Sequence, residues 1–299
     1  MNPIRLNDNC IRCIINKYTA NYPENTDKKT ILRYTQDVLK LLSQASEEAS
    51  APELVAEIKL LRDKHLGVKE DFKEEKIFFN NFVLSMEDNI KGRITQSDTP
   101  LNTTVKYAML GNYIDFGAME KVDKDDFLNQ LDKTDEIYID AEEFDNFEKD
   151  LSKAKELVYL TDNCGEIVFD KLLISTIMKL YPDININVIV RGFPAINDVT
   201  MEDAVQTGLT DLVKVTGNGT AIAGTSLKHI SADALGIINN ADVIISKGQG
   251  NFETLNRCGK NIYYLFLCKC KMFAQRFNTN MFSGVFINDL RMDNIKITK

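Results

Sequence analysis

The segment YLTDNCGEIVFD, residues 159–170, joins the end of a predicted buried strand to the start of a predicted helix. Its apolar run stops at the polar pair Asp162–Asn163, and the residues after Gly165 return to helical spacing. A simple turn needs no pair of this kind. Each of the two residues, taken singly, also suits the N-cap of the following helix. Their meaning therefore depends on the other strands of the chain.

From about residue 155 onward, short β-branched runs alternate with helical segments. This spacing predicts a parallel sheet with helices on its faces. The predicted strands are ELVYLTD, ININVIVRG, LVKVTG, ADVIISKG and NIYYLFL. The predicted helical segments between them are EIVFDKLLISTIMKLYP, TMEDAVQTG, GTSLKHISADALGIINN and GNFETLNRCG.

The chain before this region has the apolar spacing of helices. KKTILRYTQDVLKLLSQAS, residues 28–46, has helical apolar spacing, and the next helix is predicted to begin with Pro52 and end at Gly67. An acidic and lysine-rich stretch, residues 121–156, predicts solvated helices that join the two halves. We therefore expect a mostly helical domain or cap over residues 1–150 and an α/β domain over residues 151–299.

The bulk composition is that of a globular protein of ordinary hydrophobicity. The 299 residues are 44% hydrophobic and 27% charged, and no apolar run approaches the roughly 20 residues of a membrane span. The polar N-terminus does not resemble a signal peptide, so we expect a cytoplasmic protein that does not bind a membrane. With a net charge of −8 and no basic block, nucleic acid is not an expected partner, and no obligate protein partner is evident.

Six cysteines are present. Cys10 and Cys13 form a CxxC motif, and Cys268 and Cys270 lie two positions apart. A structural zinc site would favour two CxxC-like pairs or additional histidines, and the chain has two histidines. We interpret the cysteines as reduced thiols. A redox, weak metal-binding or packing role for the CxxC motif stays open.

Polar residues follow several of the predicted strands where each strand ends. They are Asp162–Asn163 with Glu166, Asn197–Asp198–Val199–Thr200, Ser246–Lys247–Gly248–Gln249 and Lys269. If the strands are parallel, these residues meet at one edge of the sheet, where α/β proteins bind ligands. Taken one at a time, an aspartate here could be a helix cap and a lysine could be a surface residue.

Two carboxylates and an amide oxygen form a hard ligand set that suits Mg²⁺ or Mn²⁺. A cation held in this way can bind a phosphate and neutralise charge on its oxygens. Lys247 and Lys269 would add positive donors, and the glycines of KGQG would let backbone N–H groups approach an anion. Glu166 could bind sugar hydroxyls.

Five segments resemble the damage-control phosphatase family, formerly the domain of unknown function DUF89 and also described as ARMT-like. They are YLTDNCGEIVFDKLLI, VRGFPAINDVTMEDA, DVIISKGQGNFETL, YAMLGNYIDFG at residues 107–117 and CIRCIINKY at residues 10–18. The last resembles the CxxC of the prokaryotic branch. The resemblance covers about residues 10–270.

The resemblance implies a multihelical N-terminal domain joined to a three-layer α/β/α domain with a mainly parallel, Rossmann-like sheet. It also implies a metal-dependent phosphatase acting on small phosphorylated metabolites such as sugar phosphates, with Mn²⁺, Mg²⁺, Co²⁺ or Ni²⁺ as cofactor. Asp162, Asn163 and Asp198 would be the metal ligands and catalytic residues. The expected substrate-binding residues are Glu166, Lys247, Gly248, Asn251, Lys269, Asn112 and Asp115. Whether water or an aspartate attacks phosphorus stays open.

The sequence departs from the family pattern at three positions. Phe193 stands where a second glycine is expected, Cys164 stands where a small or apolar residue is expected, and no proline follows Cys270. Two alternative functions are an S-adenosylmethionine-dependent carboxyl methyltransferase and a non-catalytic metabolite-binding protein. The first strand lacks the glycine-rich turn of many such methyltransferases, and calorimetry with S-adenosylmethionine would separate that class from the phosphatase.

Overall fold

The computed structural model describes residues 6–69, 71–115 and 124–294. Phe116 and Gly117, which end the segment YAMLGNYIDFG, lie outside these ranges, as does the start of the acidic stretch. The α-helices are α1 Asp8–Tyr18, α2 Lys28–Gln44, α3 Ala51–Leu66, α4 Lys73–Leu84, α5 Glu87–Gln96, α6 Pro100–Gly111, α7 Lys124–Leu131, α8 Ala141–Lys153, α9 Glu166–Leu180, α10 Met201–Gln206, α11 Ala232–Asn239, α12 Gln249–Leu255 and α13 Lys271–Arg276. The strands are β1 Glu156–Leu160, β2 Asn185–Val190, β3 Lys214–Gly217, β4 Val243–Lys247, β5 Ile262–Leu267 and β6 Gly284–Asn288.

The predicted start and stop signals of α3 are confirmed. Ser50 and Glu53 form a capping box, in which each side chain accepts a hydrogen bond from the backbone of the other. Pro52 lies in the first turn, where its missing N–H costs nothing. Gly67 ends the helix in the left-handed conformation, with φ 63°.

The six strands form one sheet in the order β3-β2-β1-β4-β5-β6. Every neighbouring pair is parallel except β5 and β6, which run antiparallel. The mainly parallel, Rossmann-like sheet is thus confirmed. Strand order reverses between β1 and β4, and ligands of such sheets bind in the crevice at the carboxyl ends of the strands beside this reversal.

Alternate residues of each strand face two different apolar layers. Leu157 and Tyr159 of β1 pack into a cluster with residues of α4–α10, whereas Val158 and Leu160 pack with α11, α12 and α13. Because a parallel sheet must be covered on both faces, this arrangement gives three layers, as expected. Helices α1–α3 form a third cluster of their own around Tyr34 and Val38.

The proposed boundary at residue 150 falls inside α8, shortly before β1, and the division into two domains stays a prediction. The helix predicted over GTSLKHISADALGIINN is wrong in its first half. Ser231 caps a helix that begins only at Ala232, and the residues before it, including His229, form turns. In the part of the chain that the structure describes, no helix is both long and apolar enough to cross a membrane.

Candidate active site

The loops after β1 and β2 meet at the switch point of the sheet. Asn163 and Asp198 form an isolated antiparallel bridge, and the Val199 N–H donates to the carbonyl of Asp162 over 2.7 Å. These backbone contacts bring the side chains of Asp162, Asn163 and Asp198 to one buried place. The three predicted metal ligands therefore converge.

Arg191, at the end of β2, lies against both aspartates. Its Nε donates to Asp198 Oδ2 over 2.6 Å, and its Nη2 lies 3.5 Å from Asp162 Oδ1. Burial raises the pKa of Asp198 to about 6, and Arg191 opposes that rise. Burial also raises the pKa of Asp162 well above its usual range, and the charges of Asp198 and Glu166 raise it further. The single charge of Arg191 thus compensates the two carboxylates only in part.

Gly248 lies directly over Asp162. A Cβ atom at this glycine would come within 1.9 Å of Asp162 Oδ2, and the backbone has φ 80°. Only glycine fits here, because both the space and the dihedral exclude a side chain. Its N–H donates to the Leu265 carbonyl over 3.1 Å, which continues the β4–β5 pairing. In this structure that N–H therefore does not face the site.

Asn112, directly after α6, reaches the site from the helical side. Its Nδ2 donates to Asp162 Oδ2 over 3.0 Å and to Glu166 Oε2 over 3.1 Å. Its Oδ1 accepts from the Leu267 N–H over 3.1 Å, which fixes the amide orientation. Asn163 Nδ2 donates to the same two carboxylates, over 2.6 Å and 3.0 Å. Two amides thus hold Asp162 and Glu166 side by side.

Lys247 is fully buried beneath this layer. Its Nζ contacts the Ala108 carbonyl at 2.7 Å, Glu166 Oε1 at 2.6 Å and Asp170 Oδ1 at 2.8 Å, so all three ammonium protons have acceptors. Burial raises the pKa of Asp170 to about 7, against the opposing charge of Lys247. In this structure Lys247 is the counter-ion shared by Glu166 and Asp170. Asp170 was not predicted, although its spacing of four from Glu166 on an apolar helix would have placed both on one face.

Lys269 and Asp115 form the opposite wall of the site. Lys269 Nζ donates to Asp115 Oδ2 over 2.7 Å, and Gln249 Oε1 accepts from the Lys269 backbone N–H over 3.2 Å. The charge of Asp115 contributes to the raised pKa of both Asp162 and Asp198. Lys269 is thus a cation at the site edge whose position depends on an ion pair.

Asn251 is buried and connects the loops of the site. Its Nδ2 donates to the carbonyls of Thr161 over 3.0 Å and Lys247 over 2.7 Å, and its Oδ1 accepts from Thr225 Oγ1 over 2.8 Å. Since every one of these bonds is internal, the structure gives Asn251 a bridging position between β1 and β4.

Two of the departures from the family pattern lie near these loops. Phe193 is 60% exposed, so the residue that replaces the expected glycine projects into solvent. Cys164 is buried and its Sγ lies 3.8 Å from Asn197 Nδ2, and burial raises the pKa of the thiol. A buried, protonated thiol is a small apolar residue in effect, which suits the position.

Two further site residues, besides Asp170, were missed from the sequence. Arg191 follows an apolar strand within VRGFP, and a lone charge at that position was a usable signal. Asn80 of α4 accepts from the Gly165 N–H over 2.6 Å and donates to Asp203 Oδ1 over 2.9 Å. Nothing in the helical pattern of α4 marks Asn80, because its role depends on how α4 packs against the loop.

The six cysteines are all free thiols. Burial raises the pKa of Cys10 to about 11, and nearby Glu253 adds to the rise. Among residues 6–69, 71–115 and 124–294, no group of three or more His, Cys, Asp or Glu is arranged to hold a metal ion. The role of the CxxC motif stays a prediction with its three alternatives.

The charge of the site suits a divalent cation nonetheless. The contact network around Asp162 includes the carboxylates Asp115, Asp162, Glu166, Asp170 and Asp198 and the cations Arg191, Lys247 and Lys269. When all are ionised, two negative charges in the network are uncompensated. The set Asp162, Asn163 and Asp198 also has the hard oxygen chemistry that Mg²⁺ and Mn²⁺ favour, with an amide as its third member.

Comparisons with known proteins show which family this chain resembles. The sequence model of the damage-control phosphatase ARMT1-like domain matches residues 6–284. A damage-control phosphatase of Pyrococcus horikoshii is 33% identical over 273 residues, which cover 89% of this chain and 92% of that protein. A damage-control phosphatase of Archaeoglobus fulgidus is 28% identical over 278 residues, covering 91% of this chain and 95% of that protein.

A solved structure has the same fold. The crystal structure of a DUF89 family protein from Pyrococcus horikoshii superposes with a TM-score of 0.80 and 30% sequence identity, and covers 96% of this chain and 99% of that one. The family match spans helices α1–α13, strands β1–β5 and every residue of the site described above. The chain therefore belongs to the damage-control phosphatase ARMT1-like family.

Proposed function

We propose that the protein is a metal-dependent phosphatase that hydrolyses small phosphorylated metabolites such as sugar phosphates. Family membership supports a phosphatase in metabolite repair. The observation that carries the metal dependence is the convergence of Asp162, Asn163 and Asp198 in a network with two uncompensated negative charges. The phosphoryl group of an ester is anionic, so an acidic site of this kind needs a cation to bind it.

The carboxylates of Asp162 and Asp198 would hold the cation, together with the Asn163 amide oxygen after the amide turns. Mn²⁺, Mg²⁺, Co²⁺ and Ni²⁺ are the candidate ions. Such an ion supplies charge neutralisation for phosphoryl oxygens and activation of an attacking water.

The protein's own residues have separate tasks in this proposal. Asn112 holds Asp162 and Glu166 in place through its two donor contacts. Lys269 would exchange part of its contact with Asp115 for a phosphoryl oxygen, which places a positive donor on the charge that develops there. Burial of the carboxylates lowers the local dielectric constant and so strengthens each of these charge interactions.

A phosphate-release screen over sugar phosphates and nucleotides, run in parallel with the four metal ions, tests the proposal. Asp162→Asn should lower phosphate release by at least about 100-fold. It should leave the metal-free fold as stable or more so, because it removes a buried carboxylate that its neighbours repel. Asp132→Asn, on an exposed side chain, is the matched control. Near-normal turnover by Asp162→Asn would rule out the assigned role.

A further inference from the structure

The guanidinium of Arg191 is only partly satisfied by the two aspartates that it contacts. Arg191 is 1% exposed. Its Nε has a short contact with Asp198, its Nη1 donates to Thr225 Oγ1 over 3.3 Å, and its Nη2 has no hydrogen-bond partner. The Nη2 lies 3.5 Å from Asp162 Oδ1, so this pair is an ion pair without a hydrogen bond. A bidentate pairing of the guanidinium with one carboxylate would be stronger.

Hydrogen bonds to residues other than the two aspartates fix the position of Arg191. Its backbone N–H donates to the Val199 carbonyl over 2.8 Å, and Thr225, which accepts from Nη1, is itself bonded to Asn251. The guanidinium therefore cannot move far to complete its contact with Asp162. A buried donor without an acceptor costs free energy. The position of this donor beside the two aspartates points to a role other than packing.

The backbone holds the two aspartate loops together without any help from Arg191. The Cys164 N–H donates to the Asn197 carbonyl over 2.8 Å, and the Val199 N–H donates to that of Asp162 over 2.7 Å. What Arg191 adds is charge. Two carboxylates in one buried site repel each other, and a positive group between them reduces that repulsion.

We propose that Arg191 is an internal counter-ion that holds Asp162 and Asp198 in the metal-free protein and competes with the incoming cation for them. This inference rests on the metal site of the proposed function and deepens it. The loose contact with Asp162 leaves Oδ1 of that residue open to a stronger cation, while the short contact with Asp198 is the one that the cation must weaken.

If Arg191 competes with the metal ion, removing it should change stability and metal affinity in definite directions. Without the guanidinium, the metal-free protein loses its only contact cation at the two aspartates among the described residues, so its stability falls. The metal-bound protein loses a like charge beside its ion, so metal binding tightens. A purely structural arginine would lower stability equally in both states, and a residue needed to orient the ligands would weaken binding.

Arg191→Gln tests this proposal, with Arg291→Gln as the matched control. Arg291 also forms a carboxylate pair, but with Glu143 of α8 at 2.7 Å rather than with either aspartate of the site. Thermal unfolding in EDTA and in saturating Mn²⁺, and calorimetric titration with Mn²⁺, are the readouts. We expect Arg191→Gln to melt below wild type in EDTA, to recover much of the difference in Mn²⁺, and to bind Mn²⁺ about tenfold more tightly. Arg291→Gln should melt lower by the same amount in both conditions.

The outcomes separate this inference from the proposed function. If wild type binds Mn²⁺ and Arg191→Gln binds it equally or more weakly, the counter-ion role is overturned while the metal site stands. If wild type shows neither heat of binding nor a Mn²⁺-induced rise in melting temperature, the metal site itself is overturned, and this inference with it.

Discussion

At the scale of single residues, the site needs a glycine at position 248 as much as it needs its polar side chains. Gly248 leaves the space that the carboxylate of Asp162 fills. The lysine and glycine at the end of β4 look like an anion-binding turn in the sequence. In the structure the glycine instead allows β4 and the loop after β1 to approach each other closely.

Gly248→Ala should displace Asp162 and lower phosphate release by about 100-fold, since small misplacements of a reacting group have effects of this size. Gly259→Ala is the matched control, because Gly259 has φ 78° but no atom near its missing Cβ. Both glycines have a positive φ, so each variant also introduces backbone strain of about 1–3 kcal/mol. Phosphate-release assays beside melting curves would check this, and equal activity in the two variants would contradict the steric account.

The convergence of Asp162, Asn163 and Asp198, the proposed metal ligands, could be predicted because these residues follow strands, and strand ends are visible in the sequence. The contacts of Arg191 and Asn80 could not be, since each joins segments that are distant along the chain. Position in the sequence fixes which loop a residue belongs to, but not which neighbour it meets.

At the scale of elements, the important unit is the contact between α9 and β4. Glu166 and Asp170, one helical turn apart, both bond to Lys247. Tyr159 donates to the same oxygen of Asp170 over 2.7 Å. The buried Lys247, paired with two carboxylates, holds α9 against β4. These ion pairs fix the position of Glu166 next to Asp162.

Lys247→Met should destabilise the protein by about 3–5 kcal/mol, because it leaves two buried carboxylates without their cation. The measurement is denaturant unfolding. Lys171→Met is the control, since Lys171 also pairs with a carboxylate, Glu87 at 2.7 Å, but closer to solvent and away from the site. Unchanged stability with lost turnover would instead support direct contact between Lys247 and substrate.

Most elements were predictable from local patterns, and the exception is instructive. The β-branched runs became β1–β5, and the Pro52 and Gly67 signals bounded α3. The segment before α11 has helical spacing but forms turns, because Thr225 and Ser226 use their side chains for bonds to Asn251 and Glu53. Tertiary bonds of polar side chains overrode the local preference there.

At the scale of the whole molecule, pH should affect stability through Glu253 of α12. Burial raises the pKa of Glu253 from 4.5 to about 7, while a bond from Gln249 opposes the rise. The folded protein then binds a proton more tightly than the unfolded chain does. This contribution to stability is full below pH 4.5 and is lost as the pH rises through about 7.

Glu253→Gln should therefore be more stable than wild type at pH 8 and should lose less stability between pH 5 and pH 8, values that bracket the expected transition near about 7. Chemical unfolding at several pH values measures this slope. Glu47→Gln, at an exposed position, is the control and should follow wild type. A Glu253→Gln variant with the wild-type slope would show that this carboxyl does not titrate in the expected range.

Five of the helices that cover one face of the sheet, α4 to α8, precede every strand in the chain. Phe79 of α4, Ile90 of α5 and Phe147 of α8 pack in the same apolar cluster as Tyr159 and Leu265 of the sheet. During synthesis on the ribosome these helices emerge first, at roughly 5–20 residues per second, with their apolar sides uncovered until the strands follow. Nascent chains paused before β5 should consequently need a chaperone. The last strands to leave the exit tunnel complete the core, and β5 also supplies the Leu267 N–H that donates to Asn112.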